Sequence, residues 1–304
     1  MLAIAMVADA LIGEARWLRL GLPHPVVLTG NLISTLERVL NTGKGRRWKG
    51  VLALILLIAV GLILSLSLAV VEFGWVVETL GAAILIAQRS LVEHVKAVAT
   101  GLRISLAEGR NQVAKIVGRD PESLDDSGVA RAAIESAAEN FSDGVAAPIF
   151  WFVIAGFPGI LLYKIVNTAD SMIGHRNERY EDFGWASARI DDLLNFLPAR
   201  LTGLIFAMVG PSLHAMQVMI RDAPKHRSPN AGWPESAMAA LLGVAVSGPR
   251  KYGDRIVDDP YIHAEGRRTC TADDIDRAVT VLWRAWTAML ILAVFTYLIG
   301  RSLT

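Results

Sequence analysis

The sequence predicts an all-α, multi-pass integral membrane protein, a helical bundle with amphipathic cytoplasmic helices and one re-entrant or broken membrane helix. Three observations predict it. Of 304 residues, 53% are hydrophobic and the mean hydropathy is +0.42, above the balance of ordinary soluble domains. The apolar residues gather in runs, and one of them, 51–71, carries no charge and matches the roughly 20 residues a helix needs to cross a hydrocarbon core of about 30 Å. Between the runs, apolar residues recur at helical spacing.

Taken in order, the run 1–12 is short and contains Asp9. It lacks a basic leader and a small-residue cleavage site, so it reads as a short first membrane segment and not a signal peptide. Lys44, Arg46, Arg47 and Lys49 directly precede the run at Val51, which places that end in the cytoplasm by the positive-inside rule. The run 74–88 then returns the chain as a hairpin. From Gln88 to Arg131 the chain is polar and basic, with Arg89, Lys96, Arg103, Arg110, Lys115 and Arg119. Helical spacing from Leu91 to Leu106 and from Val113 to Val117 leads to a turn at Gly118–Pro121. A helix follows from Ser127 to Asn140, with Asp125 and Asp126 in capping position.

The run 148–166 is long enough to span but is interrupted by Gly156-Phe157-Pro158-Gly159. Broken membrane helices occur where irregular backbone is buried or lines a cavity. A re-entrant pair of half-helices would keep both polar flanks on one face; a full crossing would separate them. The run 196–219 reads as a further span, carrying Arg200 and interrupted by Pro211, while 237–246 is too short to cross. The run 281–300 closes the chain, with Trp283 and Trp286 suited to an interfacial belt. The whole chain reads as one membrane domain, 1–304, with polar motif-bearing regions at 89–147, 167–195 and 220–280.

A net charge of +1 does not suggest nucleic acid as a partner. Cys270 is the one cysteine, so it forms no internal disulfide, and no CxxC or His-rich neighbour marks a metal site there. No G-x-x-x-x-G-K-[ST] run exists, so a nucleotide pocket would be built another way.

Four polar clusters stand out. In the first, Glu135, Glu139 and Ser142 or Asp143 fall at helical spacing on one face, beside Asn140. Like charges so placed repel unless a cation or an amine lies between them. In the second, Lys164, Asn167 or Thr168, and Ser171 share a face, with Asp170 beside them, as a helix leaves the apolar run. The third runs from Gly174 through Arg176, Arg179 and Tyr180 to Arg189, Asp191, Asp192 and Asn195. Arginine forks suit phosphate oxygens and aspartates suit Mg²⁺. The fourth, Pro224 to Glu235, sets Lys225, His226, Ser228 and Asn230 in a proline-fixed loop able to form an anion pocket.

Together these clusters resemble the adenosylcobinamide-phosphate synthase family of cobalamin biosynthesis, the CobD/CbiB proteins. The stretches that carry the resemblance are AAIESAAENFSDGVAAPIFW, YKIVNTADSMIGHRNERYEDFGWASARIDDLLNFLPARLTG and APKHRSPNAGWPESAMAALLGV. Weaker similarity extends from Leu22–Val26 to Gly248–Ile256, covering most of the chain.

The resemblance implies a cell-membrane enzyme that joins adenosylcobyric acid to (R)-1-amino-2-propanol O-2-phosphate, or to the free amino alcohol, using ATP and Mg²⁺. Its active site would face the cytoplasm, and other cobalamin-pathway enzymes are expected associates. On that reading Glu139, Asp143, Asp191 and Asp192 hold Mg²⁺ or orient the amine, with Glu135 and Lys164 in the reacting set. Lys164, Arg176, Arg179, Arg189 and Lys225 neutralise phosphates, and Asn167, Asp170, Ser228 and Asn230 position substrates. Asn140, Ser171, Tyr180, Asn195, Arg200 and His226 are further substrate-binding candidates.

Two departures from the family pattern stand at Gly13-Glu14-Ala15-Arg16, where a Gly-Asp-Pro turn is usual, and at Arg227, where proline is common. Two rival classes fit less well. A CDP-alcohol phosphotransferase needs a compact motif that Ser187-Ala188-Arg189 with Asp191-Asp192 does not reproduce, and a transporter usually shows two comparable halves, which this chain lacks.

Overall fold

The computed structural model describes residues 1–13, 25–118, 120–252 and 255–302. Arg119, the departure at Glu14–Arg16 and the similarity at Leu22–His24 lie outside these residues. The helices in chain order are α1 (Leu2–Ile12), α2 (Pro25–Leu40), α3 (Arg46–Ala69), α4 (Gly74–Leu85), α5 (Gln88–Ile104), α6 (Leu106–Val113) and α7 (Asp126–Phe141). After a π-turn at Ser142–Ala146 come α8 (Ala147–Ile173), α9 (Trp185–Leu194), α10 (Phe196–Val209), α11 (Leu213–Asp222), α12 (Gly232–Leu242) and α13 (Ala272–Ser302). The protein is almost entirely helical. The strands described are the short pairs β1 (Val246–Ser247) with β4 (Tyr261–Ile262) and β2 (Arg250–Tyr252) with β3 (Arg255–Val257), all antiparallel.

Four helical stretches are long and apolar enough to cross a membrane: Arg46–Ala69, Gly74–Ile104, Asp126–Ile173 and Ala272–Ile299. The bent pair α9–α10 makes a fifth if taken as one span. The side chains of α3 show what solvent it expects. Ala53, Leu57, Gly61 and Ser65, four residues apart, are buried, whereas Leu52, Ile55, Leu56, Val60, Ile63, Leu64 and Leu66 are exposed. Water would penalise so broad an apolar face, while lipid accommodates it, and a small-residue stripe lets helices pack closely in a bilayer.

The chain divides into two compact units. The first comprises Met1–Arg89 and Asp143–Asn195. In it α3 packs on α8 and α9, and α2 packs on α3 and α8, around Leu54, Val166 and Ala186 with Val51, Ile58 and Leu194.

The break expected at Gly156 is there, and it turns the chain back. Ala155 (φ −138°, ψ 19°) and Gly156 (φ 63°, ψ −150°) leave helical geometry, and Pro158 follows without an N–H to give. The Tyr163 hydroxyl donates to the carbonyl of Asp143 at 2.9 Å, twenty residues earlier, where a straight helix would separate them by about 30 Å. A Cβ on Gly159 would lie 2.2 Å from the Trp151 carbonyl oxygen, so only glycine lets the two limbs meet. The segment is a helical hairpin, with Val153 and Ile154 exposed near its tip. Its polar feet, Asp143 and the residues around Lys164, therefore lie at one end.

The second unit comprises Ser90–Ser142 and Phe196–Thr304. Its centre is α12, whose Ala237, Met238 and Ala239 are wholly buried beneath α10, α11, α7 and α13.

Several expected boundaries are corrected. The first helix has 11 residues, about 16 Å, too short to cross. Alone, α4 is also short, and reaches spanning length only when α5 continues it past the break at Ile86–Ala87. The run 196–219 is not one helix. Gly210 and Pro211 end α10, and α11 restarts where Ser212 Oγ accepts from the Ala215 amide at 3.1 Å. The terminal helix begins at Ala272, earlier than 281, and Trp286 is buried beside Trp283 (ring centroids 5.5 Å apart).

Candidate functional site

The second limb of the hairpin is the C-terminal part of α8, whose buried face (Ile165, Val166, Thr168, Ala169) leaves Lys164, Asn167, Asp170 and Ser171 on the less buried side. Thr168 turns inward and donates to the Lys164 carbonyl, so Asn167 is the residue that joins the expected face. Ser171 is exposed and donates to the Asn167 carbonyl. Opposite, α9 supplies Asp191, which is 8% exposed. Its Oδ1 accepts from Asn167 Nδ2 at 3.2 Å and its Oδ2 from Asn195 Nδ2 at 2.9 Å. Asn195 Oδ1 in turn lies 2.9 Å from the Tyr163 hydroxyl, which shares its proton with the Asp143 carbonyl. One polar chain thus links both limbs of the hairpin to α9.

Asp191 and Asp192 do not act as a side-by-side pair. Neighbours on a helix point about 100° apart, and Asp192, half-buried, faces Arg189 at 4.0 Å while Asp191 faces inward. Arg176 and Arg189 are exposed beside this cluster.

Arg179 has a different partner from the phosphate expected. Its Nε and Nη2 form a fork onto Glu37 of α2 at 2.9 and 3.0 Å, and its guanidinium lies 5.5 Å from the Tyr180 ring. The loop around it is knit by Asn177 Oδ1, which accepts from the amides of Arg179 and Tyr180, and is tied to α3 by Arg46 Nη2 donating to the Glu178 carbonyl. Arg47 stacks on Trp185 at 3.8 Å. The basic end of α3 therefore meets the loop after α8, while the residues beside Lys164 pack against the middle of α3 at Gly61.

The hydrogen bond from Arg179 holds the Glu37 carboxyl below its ordinary value of 4.5. A depressed carboxylate contributes stability that is fully present above the ordinary value and is lost as pH falls through the folded one. Arg179 is 64% exposed, so solvent screening keeps the pair's contribution small. The thermal midpoint in detergent is expected to be flat above pH 5.5, to fall below about pH 4.5, and to fall less in Glu37→Gln.

In the second unit, Glu135 and Glu139 separate. Glu135 is buried and accepts from the Ser247 amide at 2.7 Å, anchoring β1, while Glu139 is exposed. Asn140 is exposed and donates to Ser136 at 2.9 Å. The π-turn beginning at Ser142 shifts the register by a residue, which the spacing argument for Ser142 and Asp143 did not include.

In the proline-fixed loop, Lys225 donates to Asp222 Oδ1 at 2.6 Å. His226 Nδ1 accepts from the Ser228 amide at 3.0 Å, leaving Nε2, 3.6 Å from Glu235, to carry the proton. Ser228 Oγ accepts from the Asn230 and Ala231 amides, both at 3.2 Å. Arg200 lies between the rings of Phe196 (3.5 Å) and Trp233 (4.6 Å), with Nη1 3.4 Å from Asn230 Oδ1. Arg227, at the family's proline position, pairs with Asp259 at 2.7 Å and so helps hold the loop.

The fold is that of a helical integral membrane protein with a polar cluster between α8 and α9. The model of the CobD/CbiB protein family matches residues 2–282. Three relatives, each named cobalamin biosynthesis protein CobD, are similar over nearly full length. That of Sinorhizobium fredii is 47% identical over 95% of this chain and 94% of its own. That of Brucella anthropi is 47% identical over 99% and 97%, and that of Rhodobacter capsulatus 47% over 95% and 94%. No solved structure matches. The chain belongs to the CobD/CbiB family.

Proposed function

We propose that this protein acts in cobalamin biosynthesis as an adenosylcobinamide-phosphate synthase, joining adenosylcobyric acid to aminopropanol phosphate at the expense of ATP. Family membership supports the pathway. The observation that carries the chemistry is the polar cluster on the packed pair α8 and α9, where Asn167 and Asp170 of α8 are close to Asp191 of α9 and Arg189 lies 4.0 Å from Asp192.

A carboxylate does not yield to an amine directly, because oxide is a poor leaving group. In the proposed reaction a carboxylate oxygen of the corrinoid attacks the terminal phosphorus of ATP and ADP leaves. The amine then attacks the acyl carbon, phosphate leaves, and the amine proton passes to a carboxylate of the cluster, of which Asp192 is the less buried of the neighbouring pair. Lys164, Arg176 and Arg189 neutralise the phosphates, and the Asn167–Asp191–Asn195 chain holds the two helices in register.

The donor set suits Mg²⁺ in kind, since that ion takes oxygen ligands and is commonly held by one or two carboxylates plus substrate phosphates. Asp143 and Asp192 would hold it better than Asp191, whose oxygens already accept two amide hydrogens. When bound, the ion supplies charge screening of the phosphates. Arg179 and Lys225, committed to Glu37 and Asp222, hold their loops. Because the Lys44–Lys49 end of α3 meets the loop after α8 that also carries Arg176, the positive-inside rule supports a site that opens to the cytoplasm from the cell membrane.

An ¹⁸O label tests the mechanism. With both oxygens of the corrinoid's reacting carboxylate labelled, one label per turnover is expected in inorganic phosphate. Unlabelled phosphate alongside amide product would exclude the acyl phosphate. In sealed vesicles, corrinoid flux without chemical change would favour a transporter.

A further inference from the structure

We infer that His214, His263 and Glu265 form a binding site for a divalent transition-metal ion, for which Zn²⁺ is the best fit. None of the three takes part in the amide synthesis proposed above. Among the described residues, this is the group in which three metal-ligating side chains converge, with one ligand atom from each lying within 4.8 Å of the others.

The geometry is that of a metal edge. His214 Nε2 and His263 Nε2 are 3.3 Å apart, and tetrahedral Zn²⁺ with Zn–N bonds of about 2.0–2.1 Å separates two ligand atoms by about 3.3 Å. The rings stand at 64° with centroids 5.4 Å apart, so their Nε2 atoms converge and the rings do not stack.

Each ligand has an outer partner. His263 is 4% exposed, and its Nδ1 lies 2.9 Å from the Val244 carbonyl oxygen. A carbonyl can only accept, so Nδ1 carries the proton and Nε2 turns its lone pair toward His214. Metal-binding histidines are commonly fixed in this way. The His263 backbone, at φ 52°, is held by its amide donating to Asp222 Oδ2 at 2.8 Å. Arg221 grips that same aspartate and also donates to Glu265 Oε1 at 2.7 Å, which orients the glutamate. His214 stands in the first turn of α11, positioned by the Ser212 cap.

Two imidazole nitrogens and one carboxylate oxygen favour a borderline cation over Mg²⁺ and leave a fourth position for water. The ion would clamp α11 to the segment after β4. The plain alternative is a hydrogen bond between two neutral imidazoles, which needs neither Glu265 nor a metal.

The test uses full-length protein in detergent, free of any polyhistidine tag and stripped with chelator, with Zn²⁺ titrated against a chromogenic competitor. The expected result is one equivalent bound per chain at micromolar affinity or better. His214→Ala should weaken it at least about 30-fold, and Glu265→Gln about 10-fold, in the range seen when a metal site loses a supporting group. His214 is exposed, so His214→Ala should keep its metal-free thermal midpoint, and the test does not depend on a variant at the buried His263. Wild type that fails to compete for Zn²⁺, or a folded His214→Ala that binds it equally well, would overturn the site.

Discussion

Asp191→Asn is expected to cut amide formation at least about 100-fold, the scale seen when a preorganised polar group at a reacting centre is lost. The substitution is nearly isosteric, so packing between α8 and α9 survives, but the hydrogen-bond balance does not. Asp191 offers one oxygen to Asn167 Nδ2 and the other to Asn195 Nδ2. As asparagine it has one oxygen and an amide nitrogen, so one of the two donors faces another donor inside a site only 8% exposed. Losing a bond to a charged group costs about 1.5–3 kcal/mol, which a lowered thermal midpoint in detergent would register. Asn195 also meets the Tyr163 hydroxyl, so disturbance there reaches the other limb of the hairpin. An Asp191→Asn protein with wild-type product formation would remove this chain from the mechanism.

Gly156→Ala is expected to lower both folded yield and activity, the latter at least tenfold. The cause is conformational, since the nearest atom to an added Cβ is Pro158 Cδ at 3.8 Å, an ordinary contact. At φ 63° and ψ −150°, however, the backbone occupies a region that is essentially glycine's alone, and a side chain there costs about 1–3 kcal/mol. Asparagine often substitutes for glycine in left-handed turns, but ψ here is far from that well, so Gly156→Asn should fail as well. With the turn strained, the cheapest relief is to open the hairpin, which would part Tyr163 from Asp143. Unchanged midpoint and activity in both variants would mean that the turn does not need glycine.

The hairpin was legible because its signal is local. An apolar run interrupted by Gly156-Phe157-Pro158-Gly159 has few other physical solutions, and the Asp125 cap, accepting from the Gly128 amide at 2.7 Å, was legible for the same reason. The boundary of the run 196–219 was obscured because hydropathy averages over Gly210 and Pro211, while the break depends on which single amides lose their partners.

Within the site, Lys164, Asn167 and Asp191 were readable as polar residues placed against an apolar background. Their roles were less so. Glu37 pairs with Arg179 from 142 positions away, and Asp222 with Lys225, partners that the local sequence does not reveal. The separation of Glu135 from Glu139 depends on burial that helical spacing does not encode. His214, His263 and Glu265 carry no motif, because they are gathered by tertiary packing alone.

The most direct test of the central claim is amide formation by detergent-purified wild-type protein given adenosylcobyric acid, aminopropanol phosphate and Mg²⁺, with and without ATP, read by mass spectrometry of the corrinoid. The account predicts adenosylcobinamide phosphate only in the complete mixture, with one ADP released per amide formed. Well-folded protein that yields no amide with ATP, or that yields it equally without, would contradict it.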